Sequence, residues 1–103
     1  MIRKARIKDI KQIQELIGSF AKLDLMLPRS LNELYEHIRD FWVYEDRGKL
    51  SGCAALHISW DDLAEIKSLA VAKKSQGKGL GLDLVSACLA EARLMGAKKI
   101  FVL

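Results

Sequence analysis

A glycine-rich segment limits the folds open to this chain more than any other stretch. It follows the apolar run Leu69-Ala70-Val71 and precedes a helix-like pattern that begins at Leu80; the residues between, 73–79, are rich in Lys, Gln and Gly. A glycine-rich turn at the start of a helix presents backbone N–H groups and the positive end of the helix dipole, which together cradle phosphate oxygens. Glycine also permits the positive φ angles that such a turn needs. We therefore expect an anion-binding site between a strand and a helix.

The spacing of this segment excludes the two best-known phosphate loops. A P-loop requires Gly-Lys followed directly by Ser or Thr, whereas Lys78 is followed by Gly79. The dinucleotide fingerprint Gly-x-Gly-x-x-Gly fails because no glycine stands three residues after Gly79 or Gly81. The pattern that remains is Gln76-x-x-Gly79-x-Gly81, directly after a strand.

The rest of the sequence predicts a mixed α/β (α+β) fold whose sheet is mainly antiparallel. In chain order we expect a strand at 2–7, helices at 10–20 and 31–38, strands at 41–45 and 50–58 around the turn 46–49, a strand at 63–71, a helix at 80–95 and a strand from 99. Capping-box patterns mark the first two helices, Asp9 with Gln12 and Ser30 with Glu33, and Gly96 stands at a favoured C-terminal position. This order differs from that of a doubly wound sheet.

The composition fits one soluble domain over residues 1–103 and argues against several classes of partner. The 17 Lys and Arg against 13 Asp and Glu give a net charge of +4, but the basic residues are scattered and carry no interleaved aromatics, so we expect no nucleic-acid binding. No apolar run reaches the roughly 20 residues that cross a bilayer. The two cysteines lack metal-ligand spacing, so we expect buried free thiols, a cytoplasmic setting and no metal.

The last residues, Lys99 to Leu103, form an apolar, strand-like run with nothing after it. A strand of this kind without a neighbour is an exposed edge that invites pairing with another chain, which leaves a homodimer open. We expect that the chain is cut short and that a final helix and strands are missing.

The Gln76-x-x-Gly79-x-Gly81 pattern resembles the pyrophosphate-binding motif of the GNAT family of N-acetyltransferases, and the order of elements is similar to that family along the whole chain. The resemblance implies a GNAT-type fold and acetyl-CoA as cosubstrate. It implies that the backbone of the Leu69–Val71 strand pairs with the pantetheine arm and that the loop and helix start hold the pyrophosphate. The implied cofactor-binding residues are Leu69, Ala70, Val71, Gln76, Gly77, Lys78, Gly79, Leu80 and Gly81. The alternative is a solvated glycine-rich loop that only caps a helix.

The resemblance also implies a general base, because many members of the family carry a Glu near the position of Glu65. Strand alternation predicts that Glu65, Lys67, Leu69 and Val71 share one face. In the family a backbone N–H near Leu69, where the strand bulges, stabilises the oxyanion. The alternative for Glu65 is a surface carboxylate paired with Lys67 or another lysine. The usual general acid is a Tyr on the helix after the fifth strand, and no residue follows Leu103 here; Tyr35 and Tyr44 occupy the wrong elements.

Two segments, 25–31 and 64–71, resemble the short bacterial N-acetylglutamate synthases, which acetylate the α-amine of L-glutamate in arginine biosynthesis. A dicarboxylate needs cations, and Arg29 and Lys67 are the candidates. Surface roles for both residues remain open. Another amine acceptor (a different amino acid, a polyamine or a protein lysine) and a non-catalytic acetyl-CoA-binding module also remain open. His37 and His57 are interpreted as a helix-surface residue and a strand residue rather than as catalysts.

Overall fold

The computed structural model describes residues 1–102 and confirms the mixed sheet. The strands are β1 (Ile2–Lys4), β2 (Phe41–Asp46), β3 (Lys49–Trp60), β4 (Leu63–Val71) and β5 (Lys99–Val102), and they lie side by side in that order. Neighbouring strands are antiparallel except β4 and β5, which are parallel. The helices are α1 (Ile10–Ala21), α2 (Leu31–Glu36) and α3 (Leu80–Met95). Leu103, the end of the predicted last strand, lies outside the described residues.

The helices cover both faces of the sheet, so the protein has two hydrophobic cores. On one face α1 and α2 pack on the sheet, and the predicted stripe Ile10, Ile13 and Ile17 is fully buried with Leu34. On the other face α3 buries Leu84 and Cys88 among others. Burial of such side chains contributes roughly 1.5–3 kcal/mol each for the large aliphatic ones. The sheet is therefore a rigid central layer that fixes the ends of its strands.

The N-terminal predictions are partly wrong, because an ion pair with Arg3, six positions earlier, replaces the predicted cap. β1 ends at Lys4, and a 3₁₀ turn at Ile7–Asp9 leads into α1. Asp9 does not cap α1 with Gln12: its carboxylate accepts hydrogen bonds from the backbone of Arg6 (2.7 Å) and from the guanidinium of Arg3 (2.7 and 2.9 Å).

The second predicted capping box is confirmed, and it starts a helix that is shorter than expected. The Ser30 hydroxyl accepts from the backbone N–H of Glu33 at 3.1 Å, and the Glu33 carboxylate accepts from the backbone N–H of Ser30 at 3.3 Å. The helix ends at Glu36, and Ile38 belongs to a separate 3₁₀ turn, Ile38–Asp40. This turn leads directly into β2.

Gly52 of β3 lies where the sheet and α3 approach each other most closely. A Cβ atom built at Gly52 would lie 2.9 Å from Leu84 Cδ1 and 3.3 Å from the carbonyl oxygen of Ala70. Glycine at this position therefore permits the close packing of α3 on β3 and β4.

Across residues 1–102, none of the helices combines the length and the apolar character that a membrane crossing requires.

Candidate active site

A β-bulge interrupts β4 just before its end. Lys67 pairs with Ala55 and Ala70 pairs with Cys53, so Ser68 and Leu69 together oppose the single residue Ala54. Ser68 has a φ of +55°, a left-handed conformation that is uncommon for residues other than glycine. Bulges of this kind bend a strand and redirect its side chains.

The bulge corrects one prediction, that Glu65, Lys67, Leu69 and Val71 share a face. Lys67 pairs with Ala55, which belongs to the core under α1 and α2, so Lys67 lies on that face, and so does Glu65 two residues before it. Val71 packs instead into the core under α3. The extra residue shifts the alternation by one position, so β4 changes faces at the bulge.

β5 pairs with the first half of β4 only. The parallel register joins Leu63–Ile66 to Lys99–Val102, and no strand among residues 1–102 pairs with the outer edge of β4 after Ile66. Leu69 is 38% exposed. Within the described residues, the second half of β4 therefore has no neighbouring strand on the side of β5.

A pocket of about 270 Å³ lies directly beyond the end of β4. Its lining residues belong to the end of β4, to the loop and to the first turn of α3: Val71, Ser75, Gln76, Gly77, Gly79, Leu80 and Gly81. All of them except Ser75 are among the predicted cofactor-binding residues. Leu69 and Ala70 lie further back along β4, and Lys78 is exposed in the loop.

The loop owes its shape to glycines and to one side-chain hydrogen bond. Gly77 and Gly79 have φ values of +80° and +83°, and Gly79 is the N-cap of α3. Gln76 Nε2 donates to the carbonyl oxygen of Val71 at 3.0 Å, which ties the loop to the end of β4. The first N–H groups of a helix have no partner within the helix. The pocket can therefore hold an anion by backbone donors and by the helix dipole.

Lys73, Lys74 and Lys78 are exposed cations in the same segment as the residues that line this pocket. Lys73 and Lys74 lie in a 3₁₀ turn, Lys73–Ser75, where the sequence predicts only a loop. Exposed lysines attract polyanions over a distance of about one Debye length, roughly 8–10 Å in ordinary buffers. The local field therefore favours a phosphate-bearing ligand.

Glu65 is partly buried in the middle of the sheet, between His57 of β3 and Phe101 of β5. Within residues 1–102 no ion pair joins Glu65 to Lys67 or to any other basic group. The alternative of a lysine-paired surface carboxylate therefore finds no support in the structure. Glu65 and Lys67 share the face on which α1 and α2 pack, before the bulge.

Arg29 reaches the bulge from the link between α1 and α2. Its Nη1 donates to the Ser68 hydroxyl at 3.1 Å, and its guanidinium lies 5.4 Å from the centre of the Phe41 ring. Among the described residues no carboxylate pairs with it. The structure thus places a guanidinium with unused donors next to the strand that carries Glu65 and Lys67.

A second pocket, of about 440 Å³, adjoins Arg29 on the side of α1. Besides Arg29 it is lined by Pro28 and by a polar stretch of α1 and its end: Gln14, Glu15, Gly18, Ser19 and Lys22. The two pockets therefore lie near different parts of the chain, one beyond the end of β4 and one on the α1 side of Arg29.

Cys53 lies beneath the bulge, where its Sγ donates to the carbonyl oxygen of Ser68 at 3.4 Å. Burial raises the pKa of the Cys53 thiol to about 12, and burial likewise raises the pKa of Cys88 to about 11. Both thiols are free and buried, as the sequence predicts. A protonated thiol is a poor nucleophile, so neither cysteine serves the site as one at neutral pH.

Sequence reasoning missed Ser68, Ser75 and the role of His57. Ser68 lies in β4 just before the apolar run Leu69–Val71 and Ser75 lies in the glycine-rich segment, but hydroxyl residues in a strand or loop give no distinctive pattern. His57 Nδ1 lies 2.9 Å from Asp40 Oδ2, a contact across 17 positions of sequence. Tyr35 lies exposed in α2 and Tyr44 lies in β2, so both tyrosines are in the elements that the sequence predicts.

Comparison with known proteins gives consistent results over the whole chain. The sequence model of the Acetyltransferase (GNAT) family matches residues 7–103. The amino-acid acetyltransferase of Mycobacterium tuberculosis is 38% identical over 106 residues, which cover 100% of this chain and 60% of that protein.

Two solved structures extend this similarity to the fold. A Mycobacterium tuberculosis protein in complex with CoA is 38% identical and has a TM-score of 0.95, over 100% of this chain and 63% of that one. The N-acetylglutamate synthase of Neisseria gonorrhoeae, in complex with coenzyme A and N-acetyl-glutamate, is 36% identical, also with a TM-score of 0.95, over 100% of this chain and 24% of that one. The chain thus spans less than two thirds of the length of each of these proteins.

Proposed function

The chain belongs to the acetyltransferase (GNAT) family, and from this we propose that it binds acetyl-CoA and transfers the acetyl group to the α-amine of an amino acid, L-glutamate. The observation that carries the proposal is the glycine-lined pocket beyond the open edge of β4. Phosphates of the cofactor fit the pocket, because backbone N–H groups surround it and exposed lysines lie in the same segment. An extended amide-bearing arm fits the unpaired edge of β4, as an added strand does.

Glutamate is supported by the cations near the bulge and by the names of the relatives. The guanidinium of Arg29 uses one N–H to bind the Ser68 hydroxyl and has further N–H groups available. Lys67 directly precedes Ser68 in β4. A planar guanidinium with two free N–H groups matches a carboxylate in a bidentate geometry. The similar proteins named above are an amino-acid acetyltransferase and an N-acetylglutamate synthase.

In the proposed reaction the amine nitrogen attacks the thioester carbonyl carbon of acetyl-CoA. Glu65 takes a proton from the amine, directly or through water, which leaves the nitrogen lone pair free to form the new bond. A backbone N–H at the bulge, near Leu69, donates to the carbonyl oxygen as negative charge develops there. The carbon–sulfur bond then breaks, and the departing thiolate takes up a proton.

We propose that the protein acts in the cytoplasm and that its reaction belongs to arginine biosynthesis. This proposal is supported by two buried free thiols and by the N-acetylglutamate synthase among the similar structures. A homodimer stays a prediction.

The first test separates cofactor binding from catalysis. Calorimetry of the purified chain with acetyl-CoA measures binding, and thiol release measured with L-glutamate, against acetyl-CoA alone, measures transfer. We expect binding and a glutamate-dependent release of CoA. Binding without release on any of a panel of amines would support a non-catalytic module instead, and absence of binding would refute both.

The second test concerns Glu65. Glu65→Gln should lower kcat about 100-fold or more at neutral pH, because general bases typically contribute 10²–10⁴-fold, and the loss should shrink as pH rises and the free amine is formed in solution. Glu36→Gln, in an exposed position of α2 that lines neither pocket, is the control. An unchanged pH–rate profile for Glu65→Gln excludes it as the base.

A further inference from the structure

Three residues outside the proposed acetyl-transfer machinery bring metal-ligating atoms together. His37 follows α2, Asp40 ends the 3₁₀ turn before β2, and His57 lies in β3. Asp40 Oδ2 lies 2.9 Å from His57 Nδ1 and 3.8 Å from His37 Nδ1. One ligand atom from each residue lies within 4.8 Å of the other two. The fold thus assembles two imidazoles and a carboxylate from three separate elements.

The spacing of these atoms matches the coordination sphere of zinc. Imidazole nitrogen and carboxylate oxygen bind Zn²⁺ at about 2.0–2.2 Å, and a tetrahedral arrangement then separates neighbouring ligand atoms by about 3.3 Å. The observed separations of 2.9 and 3.8 Å lie on either side of that value. The third separation, between the two imidazole nitrogens, is within 4.8 Å, so side-chain rotations would bring the three ligands around one ion.

The cluster is open to ions from solution, and its rings are already placed face to edge. The side chains of His37, Asp40 and His57 are 41%, 25% and 36% exposed. The two imidazole rings have centroids 5.6 Å apart and an interplanar angle of 82°. Neither cysteine competes for the ion, because both thiols are buried and protonated at neutral pH.

We propose that His37, Asp40 and His57 form a binding site for one divalent transition-metal ion of the zinc class, with water in the fourth position. The ion links the turn before β2 to β3, next to the register pair of His57 and Glu65. Because the three ligands come together only in the folded chain, bound metal favours the folded state by mass action. The proposal does not rest on the proposed function, and its test needs no activity.

The test uses untagged, metal-free protein, titrated with Zn²⁺ by calorimetry and with Co²⁺ by absorption spectroscopy. We expect one ion per chain, a melting temperature that rises with Zn²⁺ concentration, and Co²⁺ d–d bands without a thiolate-to-cobalt charge-transfer band. A charge-transfer band would place the ion on the cysteines and overturn the proposal. So would the absence of saturable binding.

Substitutions of the ligands then locate the ion. His57→Gln, His37→Gln and Asp40→Asn should each weaken Zn²⁺ binding at least about tenfold, since even outer-shell partners change metal affinity by about 10–100-fold. Asp40→Asn keeps a hydrogen-bond partner for His57, so this variant should stay folded while it loses the carboxylate ligand. The control is Glu36→Gln, which removes a nearby carboxylate that accepts from Asn32 outside the cluster. Equal losses in the control and in the three variants, or no loss in them, would refute the site.

Discussion

Two arginines, Arg3 of β1 and Arg29 of the link between α1 and α2, differ in how many of their guanidinium donors the described chain engages. Arg3 of β1 is 11% exposed and uses all its guanidinium nitrogens: they donate to Asp9, to Glu45 and to the carbonyl oxygen of Lys4. Arg29 donates one hydrogen bond, to Ser68, and lies over the Phe41 ring. A guanidinium whose donors are all engaged holds elements together, whereas one with donors to spare can receive a ligand.

The largest effect should come from removing Arg3. Arg3→Met leaves Asp9, which is 2% exposed, as a buried carboxylate without its cation. Loss of one partner of a buried pair typically costs about 3–5 kcal/mol, so we expect a fall of that size in the free energy of unfolding, measured in urea. Glu45→Gln, which removes the more exposed partner, should cost much less. A loss below about 1 kcal/mol for Arg3→Met would remove the contrast between the two arginines.

The ion pairs of Arg3 with Asp9 and Glu45 should make the free energy of unfolding fall in acid. Hydrogen bonds from Arg3 hold the pKa of the Asp9 carboxyl below its usual value. A hydrogen bond from Arg3 also lowers the pKa of the Glu45 carboxyl. A lowered folded-state pKa contributes stability above the carboxyl's unfolded pKa of about 3.9, and this contribution is lost as pH falls through the folded-state value. Urea titrations from pH 6 to pH 2 (about five points) measure it. Asp9→Asn should be less stable than the parent at neutral pH and show a flatter slope below pH 4 or so; an equal slope would contradict the assignment.

Removal of Arg29 should act on substrate rather than on folding. We expect Arg29→Met to raise the KM for L-glutamate about 30-fold, which corresponds to about 2 kcal/mol for a hydrogen-bonded charge pair. Its effect on unfolding should stay below about 1.5 kcal/mol, because it makes one side-chain hydrogen bond in the described chain. Lys22→Met, which removes another cation from the same pocket, is the control. An unchanged KM for Arg29→Met would show that Arg29 does not bind the substrate and that its role is structural, like that of Arg3.

The smallest expected effect is a difference in CoA binding between substitutions at the two ends of α3. Gly79 and Gly96 flank the helix with φ values of +83° and +90°, and neither has an atom within 4 Å of an added Cβ. Gly79→Ala and Gly96→Ala should therefore cost similar stability, about 1–2 kcal/mol each. Calorimetry should show about tenfold weaker CoA binding for Gly79→Ala alone, because only that end of α3 lines the anion pocket. Equal binding by both variants would argue that the pocket does not hold the cofactor.

The sequence predicts most where local chemistry decides the structure. The bounds of β4 and α3 are as predicted, because a glycine-rich loop separates them and Gly96 ends the helix. The anion pocket follows from the same segment, since its lining depends on neighbouring residues and not on distant ones. The capping box at Ser30 is correct for the same reason.

Predictions fail where the structure depends on a partner far away in sequence. Gln12, the predicted cap partner of Asp9, accepts instead through Oε1 from the backbone N–H of Leu50, 38 positions away, while Arg3 donates to the Asp9 carboxylate. The face of Val71 depends on the register between β3 and β4, which no single strand reveals. The cluster around Asp40 joins three elements whose separation only the folded chain sets.

Gly52 has a consequence for the pocket beyond the end of β4, because it pairs with Val71, one of the lining residues, and faces α3. Leu84, its neighbour across the interface, lies in the same helix as Leu80 and Gly81, which line the pocket. A Cβ atom at position 52 would press on Leu84, so we expect a substitution there to displace α3, including its first turn. The direction of the N–H groups at the pocket would then change, and a strand position would influence the pocket as a loop residue does.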